Sequence, residues 1–508
     1  MAAEARIVAF ENKRHWSNWH LTIEREPILG RYEVHNPETN PGWVGMRKTA
    51  AVLQRFIAET NAAGQRLHPI GARWSHSSCA SPSGGRLLAT ETANWTLRPD
   101  RASLAPDFRG EAEELVLVQC GVQISELNKR LEQGWGRSLS TSGLNNGQTI
   151  AGAISTSSHG SAIDQGALQA QVCGLQLLTA DRNLWLERDG DPIAGPGLLQ
   201  KLGASRLRGD DLFEAALVSL GGLGLIHSVM LRTAPLFHLI AYQEKLPYDD
   251  ALRRAMDESD FSGLRLPQGT ERPYYFRVIL NPHDRRNLAY VNVMYKRPFP
   301  PGTPIDYSID GEFGPGRDVP RLVGELLDNF PGLTRGISSV IVDNQLKLYA
   351  DERGTWGEMF GYSDPREKGA AASMGIAQNL TSRAVELAQK AYREAGPAPV
   401  VITCRFIGRT PGLLAWQQHE RNCIIEVDGL RTERARKVME AVRAEFDRAG
   451  LAYGEHWGKL HGLTRAKVER AYGSKLDRWR AARETFLPMR RDRQTFSNEF
   501  LENIGLGA

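Results

Sequence analysis

The sequence predicts an α+β fold built from more than one domain. Its 508 residues exceed the roughly 250 to 300 residues at which a single hydrophobic core stops growing, so two or three domains are expected. Segments with apolar residues at helical spacing are interspersed with segments that alternate between apolar and polar residues. The best alternating segments lie in the middle of the chain and predict the strands of one antiparallel sheet: Tyr274–Leu280, Leu288–Lys296, Val400–Gly408 and Asn422–Gly429.

Helices are predicted beside that sheet by the spacing of apolar residues. The patterns at Ala370–Gly396 and Arg431–Ala449 repeat at helical intervals. Both segments border predicted strands, so they are expected to cover one face of the sheet.

The N-terminal half predicts a second set of strands and helices. Residues 1–50 are rich in aromatic and proline residues without a clear period and predict an irregular lead-in. The segments that follow have the spacing of regular elements. They predict a helix at Met46–Arg66, a short strand at Leu67–Ile70, strands at Gly85–Thr90 and Glu114–Gln119, a helix at Ile124–Gly134, a hairpin at Val172–Arg188, and a helix, glycine turn and strand at Leu212–Pro235.

The composition argues against a nucleic-acid-binding, membrane-spanning, disulfide-rich or metal-binding protein. The 63 basic and 59 acidic residues nearly balance, so nucleic acid is not an expected partner. No window approaches the roughly 18 apolar residues of a membrane span, and the N-terminus lacks the apolar region of a signal peptide. Five cysteines at wide, irregular spacing predict neither a disulfide framework nor a zinc or other metal site. A cytoplasmic protein is expected.

The stretch Leu139–Gly160 is unusually rich in glycine, serine and threonine. Glycines allow a bound group to approach the main chain closely, and the apolar residues Ile150 and Ile154 argue against a solvated linker. The loop Gly71–Ser78 has consecutive amides and hydroxyls that could hold an anion, with His76 at its centre. Both segments are expected to contact a large bound cofactor.

Five motifs in order carry a resemblance to a known family. They are GARWSHSS, QTIAGAISTSSHGSA, SLGGLGLIHSVML, HWGKLHGLT and TFSNEFL. The first three resemble the FAD-binding domain of the vanillyl-alcohol oxidase superfamily, and the last two resemble its aldonolactone oxidase and alditol oxidase branch. The resemblance implies a two-subdomain FAD-binding domain of the PCMH type and a substrate (cap) domain with an antiparallel sheet flanked by helices. The implied divisions are a lead-in over 1–45, the FAD-binding domain over 46–238, the cap over 239–450 and a returning C-terminal segment over 451–508.

The resemblance also implies cofactor contacts. His76 matches the position at which many members bind the flavin covalently. The full set that it places around FAD is Gly71, Ala72, Arg73, Trp74, Ser75, His76, Ser77, Gly143, Thr149, Gly152, Ser155, Thr156, His159, Gly160, Ile226, His456 and Lys459.

Three residues are implied to act in catalysis. Lys459 matches a lysine that stabilises negative charge on the reduced flavin ring. Arg405 matches the arginine of a Glu-x-Arg pair whose glutamate position holds Thr403, although a shift of two residues would place Arg405 at the glutamate position instead. Gly143 matches a position beside the flavin at which a small residue admits oxygen.

The expected function is an FAD-dependent oxidase of an alcohol or lactone-type substrate, with hydride transfer to flavin N5 and oxygen reduced to hydrogen peroxide. The alternatives are a flavin dehydrogenase that uses a quinone or cytochrome, and a flavin-binding protein without turnover. Apolar and aromatic residues on the predicted roof strands favour a flat or apolar alcohol over a polyol. They are Tyr274, Tyr275, Phe276, Tyr290, Cys423, Ile424 and Ile425.

Overall fold

A computed structural model describes residues 5–10, 12–36, 42–144, 146–284, 286–307, 346, 348–361 and 369–508. Its strands are β1 (Arg6–Phe10), β2 (His15–Trp16), β3 (Glu26–Pro27), β4 (Gly30–His35), β5 (Leu67–Ile70), β6 (Arg86–Ala89), β7 (Thr96–Leu97), β8 (Leu115–Gln119), β9 (Arg137–Ser138), β10 (Val172–Leu178), β11 (Asn183–Glu187), β12 (Ser205–Arg208), β13 (Leu225–Arg232), β14 (Ala234–Pro235), β15 (Phe237–Pro247), β16 (Tyr275–Leu280), β17 (Leu288–Pro298), β18 (Tyr349–Thr355), β19 (Gly369–Ala377), β20 (Val400–Gly408), β21 (Arg421–Leu430) and β22 (Gly454–Glu455). The α-helices are Trp43–Ala62, Ile124–Trp135, Ile150–Ser155, Pro196–Leu202, Asp210–Leu217, Asp250–Glu258, Trp356–Met359, Thr381–Ala395, Glu433–Arg448, Arg465–Tyr472, Ser474–Phe486, Arg490–Thr495 and Glu499–Asn503. The predicted α+β class is confirmed.

Two sheets make up most of the N-terminal half. One has the order β1-β4-β6-β5, and the other has the order β12-β11-β10-β13-β8-β7. Apolar side chains of the second sheet pack with the helices Trp43–Ala62 and Ile124–Trp135 and with the C-terminal helices in one continuous core.

The largest sheet has the order β18-β15-β17-β16-β20-β21-β19-β22 among the described strands, and their pairings are antiparallel. One of its faces packs against the helices Asp250–Glu258, Thr381–Ala395 and Glu433–Arg448 in a separate core. The other face is turned toward the N-terminal half. The predicted antiparallel sheet with helices on one face is therefore confirmed.

Two sequence expectations differ from the structure. Residues Gly369–Ala377 form a strand that pairs with β21 and β22, and the predicted helix begins only at Thr381. The alanines of this segment have a high intrinsic helix propensity. The segment forms a strand because it pairs with β21 on one edge and with β22 on the other, and such tertiary contacts override local propensity. The lead-in also holds regular strands, since β1 pairs with β4 and β4 pairs with β6. The β4–β6 pairing joins segments that lie far apart in the chain, which local periodicity does not reveal.

Among the described residues, no helix is long and apolar enough to cross a membrane.

Candidate functional site

A cavity of about 580 Å³ lies between the N-terminal half and the free face of the largest sheet. On one side it is lined by the segments 68–76, 148–156 and 219–226, in which small residues predominate. On the other side it is lined by residues of the sheet and of 456–459. Its volume lies within the range of about 300 to 1,000 Å³ typical of ligand and cofactor sites.

The loop that precedes His76 is held by contacts with distant segments. A Cβ atom on Gly71 would lie 1.9 Å from Thr149 Oγ1, so only glycine permits this approach. The His76 amide donates to the Gly458 carbonyl at 2.7 Å, and Ser77 Oγ donates to the Trp457 carbonyl at 2.5 Å. The C-terminal segment thereby fixes the loop against the cavity.

The His76 ring is buried and faces the cavity. It stacks on the His20 ring with 3.8 Å between the centroids. Burial lowers the pKa of His76 well below its usual value, with smaller effects of the same sign from His20, Lys459 and His456. Its Nδ1 has no hydrogen-bond partner within the described chain, so a neutral imidazole nitrogen is left for a bound group.

These features fit FAD. The small residues leave main chain and short hydroxyls along one side of the cavity, where a flat ring and a diphosphate can approach closely. The unpaired, buried Nδ1 of His76 would be costly without a partner. A flavin bound along this side would supply that partner.

Charged side chains cluster behind the opposite side of the cavity. Arg405 Nε lies 2.7 Å from Glu426 Oε2, in an ion pair whose N–H does not point at the oxygen. Ser373 Oγ donates to Glu426 Oε1 at 3.0 Å, and His159 Nε2 lies 3.8 Å from the same oxygen. Burial favours the protonated carboxyl, but Arg405, His159 and Lys459 outweigh it and lower the pKa of Glu426. Glu426 is therefore an anion within a compensated cluster.

In one of the two registers that the resemblance allows, Thr403 stands where the family has the glutamate of its Glu-x-Arg pair. Thr403 lies directly opposite Glu426 on the neighbouring strand. A carboxylate absent from β20 is thus present on β21, in contact with Arg405. The arginine–carboxylate pair is formed across two strands instead of along one.

Most of the sequence-predicted site residues line the cavity. These are Gly71, Ala72, Arg73, Trp74, Ser75, His76, Thr149, Gly152, Ser155, Thr156, Ile226, His456 and Lys459. The others do not line it, and they are Ser77, Gly143, His159, Gly160 and Arg405. Ser77 turns toward Trp457, and a Cβ atom on Gly160 would lie 2.5 Å from the Ser142 carbonyl, so both lie behind the lining.

Several lining residues were not predicted from the sequence. Gln243, Arg277, Tyr349 and Asp428 line the cavity from the largest sheet. The position of Asp428 could have been predicted from its spacing. It lies two residues after Glu426, and residues two apart on a strand point to the same face of the sheet. Arg277 is similarly the charged residue of an otherwise apolar strand.

None of the residues expected to form an apolar lining lines the cavity. Ile424 and Tyr275 pack toward the N-terminal half, but three others lie on the opposite face. Phe276, Cys423 and Ile425 pack into the core with the helices, on the side of the sheet away from the cavity. A register error of one residue exchanges the two faces of a strand. The lining from the sheet includes polar side chains, among them Arg277 and Asp428, beside apolar ones such as Val401 and Ala371.

Comparisons with known proteins agree with the motifs. Residues 45–184 match the model of an FAD binding domain family. The chain is 24% identical over 513 residues to L-gulono-1,4-lactone dehydrogenase of Mycobacterium tuberculosis, covering 96% of this chain and 98% of that one. It is 25% identical over 396 residues to L-gulonolactone oxidase of Bos taurus, covering 77% and 80%. A solvent-stable cholesterol oxidase shares the fold, with a TM-score of 0.68, 16% identity and 98% of each chain covered.

The predicted resemblance to the aldonolactone oxidases is confirmed. The chain therefore resembles FAD-dependent oxidoreductases that act on CH–OH groups.

Proposed function

We propose that this oxidoreductase oxidises a hydroxyl-bearing carbon of a lactone-type substrate, or of a related polar alcohol, and passes the electrons to oxygen with formation of hydrogen peroxide. The observation that carries the proposal is the shared cavity. Its cofactor-lining segments face the polar side of the largest sheet, and Lys459 lines the same space.

FAD, when bound, supplies the hydride acceptor and the means of passing electrons onward. The segments 71–76 and 148–156 and Ile226 would hold it, because their small or main-chain surfaces line one side of the cavity. His76 is the proposed covalent anchor, since its neutral ring nitrogen is buried there without a partner in the described chain.

Polar residues of the largest sheet would orient the substrate. Arg277 is buried, its Nη2 donates to Gln243 Oε1 at 3.3 Å, and its Nε has no hydrogen-bond partner within the described residues. A hydroxyl or carbonyl oxygen of a lactone would satisfy that donor. This lining supports a substrate with several oxygens over an apolar alcohol.

The proposed electron acceptor is argued from Gly143 and from the names of two similar proteins. Gly143 is buried and does not line the cavity, so its proposed role in admitting oxygen is supported by the resemblance and by its lack of a side chain. One similar protein is named a dehydrogenase and another an oxidase. A flavin dehydrogenase that uses a quinone or cytochrome is therefore the second candidate.

The test is oxygen uptake by purified protein supplied with L-gulono-1,4-lactone, with xylitol as the polyol comparison and peroxide measured in parallel. We expect lactone-dependent uptake with equivalent peroxide. Anaerobic bleaching of the flavin without oxygen uptake would favour the dehydrogenase. A flavin that neither donor reduces would contradict the proposed substrates and leave the flavin-binding alternative.

The covalent link predicts that yellow colour stays with the protein after acid precipitation. His76→Ala should release the flavin on precipitation, while His15→Ala, at an exposed strand residue, should retain it. Fluorescence of the protein band on a denaturing gel measures both variants. Colour released from the unmodified protein would show that FAD is bound without a bond to His76.

A further inference from the structure

Two carboxyl groups of the described residues line the cavity, and the proposed roles use neither: Glu352, which is exposed, and Asp428, which is less so. Asp428 lies on β21 and lines the cavity together with Lys459. It lies opposite Val401 on the neighbouring strand and accepts a hydrogen bond from the Thr403 side chain. Because Glu426 and Asp428 are two residues apart on a strand, they share the face that is turned toward the cavity.

Three charged groups influence Asp428: Glu426 on β21, Arg405 on β20 and Lys459 in the segment after β22. Burial is the largest influence and raises the pKa of its carboxyl, and the charge of Glu426 adds to the increase. Lys459, Arg405 and the hydrogen bond from Thr403 act in the opposite direction and leave the pKa at about 6. A group with this pKa is largely ionised at neutral pH and still takes up a proton readily, as a general base requires.

The neighbouring groups are less suited to accept a proton. Glu426 is held by Arg405 and Ser373 and does not line the cavity. His456 lines it, but its Nδ1 already accepts from the Gly458 amide at 2.9 Å, and burial lowers its pKa well below the usual value. Asp428 combines access to the cavity with a carboxyl whose pKa is about 6.

We propose that Asp428 is the catalytic base that takes the proton of the substrate hydroxyl. The inference rests on the proposed function, in which a CH–OH group is oxidised in this cavity. The substrate O–H bond would break and its proton would move to an Asp428 carboxylate oxygen. The hydrogen of the breaking C–H bond would leave with both electrons as hydride, for which FAD, when bound, would supply the acceptor. The carbon and oxygen are then joined as a carbonyl, and Asp428 returns its proton to water before the next turnover.

The first test compares Asp428→Asn with Glu420→Gln in stopped-flow reduction of the flavin by L-gulono-1,4-lactone or xylitol, whichever reduces the unmodified enzyme. Glu420 gives a matched carboxyl-to-amide change at an exposed position next to β21. We expect Asp428→Asn to slow reduction by roughly 10² to 10⁴-fold, the usual contribution of a general base, and Glu420→Gln to leave the rate unchanged. The flavin content and absorbance spectrum of both variants should match the unmodified enzyme.

The second test uses pH. The reduction rate of the unmodified enzyme should rise as pH increases through about 6, because the ionised carboxylate is the active form. Thr403→Val removes a hydrogen bond that lowers the pKa of Asp428, so it should move the midpoint to higher pH. A role in folding alone would not move that midpoint.

Infrared difference spectra across the same pH range add a readout that does not depend on turnover. A carboxyl band that titrates near pH 6 should be missing from Asp428→Asn. Equal reduction rates in Asp428→Asn and the unmodified enzyme would overturn the role of Asp428 alone. An unmodified flavin that neither donor reduces would overturn the proposed function and this role together.

Discussion

Lys459 is a cation whose charge influences several ionisable groups of the site. Its charge contributes to lower pKa values at the ring of His76, the ring of His456 and the carboxyls of Glu426 and Asp428. Lys459 also lines the cavity itself. A fixed charge there is preorganised to stabilise negative charge that develops during a reaction.

Lys459→Met removes this charge and keeps most of the side-chain volume. We expect flavin reduction to slow by roughly 10²-fold, the usual effect of losing one preorganised electrostatic contact, with little change in FAD content. Stopped-flow absorbance measures the rate. Lys467→Met is the control, because Lys467 pairs with Asp447 outside the cavity. Equal rates in the two variants would show that Lys459 does not act on the reacting groups.

At the scale of elements, a buried carboxyl joins the two halves of the molecule. Glu132, on the helix Ile124–Trp135, accepts a hydrogen bond from Thr355 Oγ1 at 2.5 Å and from the Gly357 amide at 2.8 Å. Tyr307 donates a third hydrogen bond to it. The short helix Trp356–Met359, which follows β18 of the largest sheet, is thereby held against the N-terminal half.

Glu132 should make stability depend on pH. Burial raises its pKa from 4.5 to about 7, despite the hydrogen bonds that lower it. Because the folded pKa is above the unfolded one, the carboxyl contributes its full stability below about pH 4.5 and loses it as pH rises to about 7. The melting temperature of Glu132→Gln should therefore increase relative to the unmodified protein across that interval.

Glu126→Gln is the matched control for this measurement, since Glu126 lies on the same helix and forms an exposed pair with Arg130. Its difference in melting temperature from the unmodified protein should stay constant between about pH 5 and pH 7, because its carboxyl is solvated. A constant difference for Glu132→Gln as well would contradict the assigned pKa shift.

At the scale of the whole molecule, the C-terminal segment contacts both sides of the cavity. The His456 amide donates to the Ser373 carbonyl of the largest sheet at 3.1 Å, and the Gly458 carbonyl accepts from His76 at 2.7 Å. Further along, Asn498 Nδ2 donates to the carbonyls of Cys79 and Ser81 at 3.2 and 3.0 Å. The end of the chain thus supports the loop that carries His76.

Asn498→Ala should weaken this support. Two carbonyls behind the loop would lose their donor, which costs about 1 to 3 kcal/mol of the free energy of unfolding for each unsatisfied buried group. We expect a lower melting temperature and a smaller fraction of chains carrying FAD. Asn503→Ala is the control, because Asn503 lies at the end of the helix that Asn498 caps and is exposed. Identical flavin content and melting temperature in the two variants would argue against the role of Asn498.

Local patterns predicted the elements whose side chains have a clear period. The strand Val400–Gly408 was predicted with its observed bounds, and the helix Glu433–Arg448 nearly so, since alternation and helical spacing are properties of the segment itself. The strand Gly369–Ala377 was missed because its small residues are buried on both faces. They carry no alternation that could identify a strand.

The sequence by itself indicated the segments that line one side of the cavity, because closely approached main chain requires small residues and these can be read directly. The cofactor class was implied by the resemblance of its motifs to a known family. Only the tertiary structure decided which charges act together. Thr403 and Glu426 are opposed through strand pairing, and Asp428 reaches the cavity through the choice of strand face. Pairing and face depend on contacts between distant segments, and a change of one residue in register would reverse them.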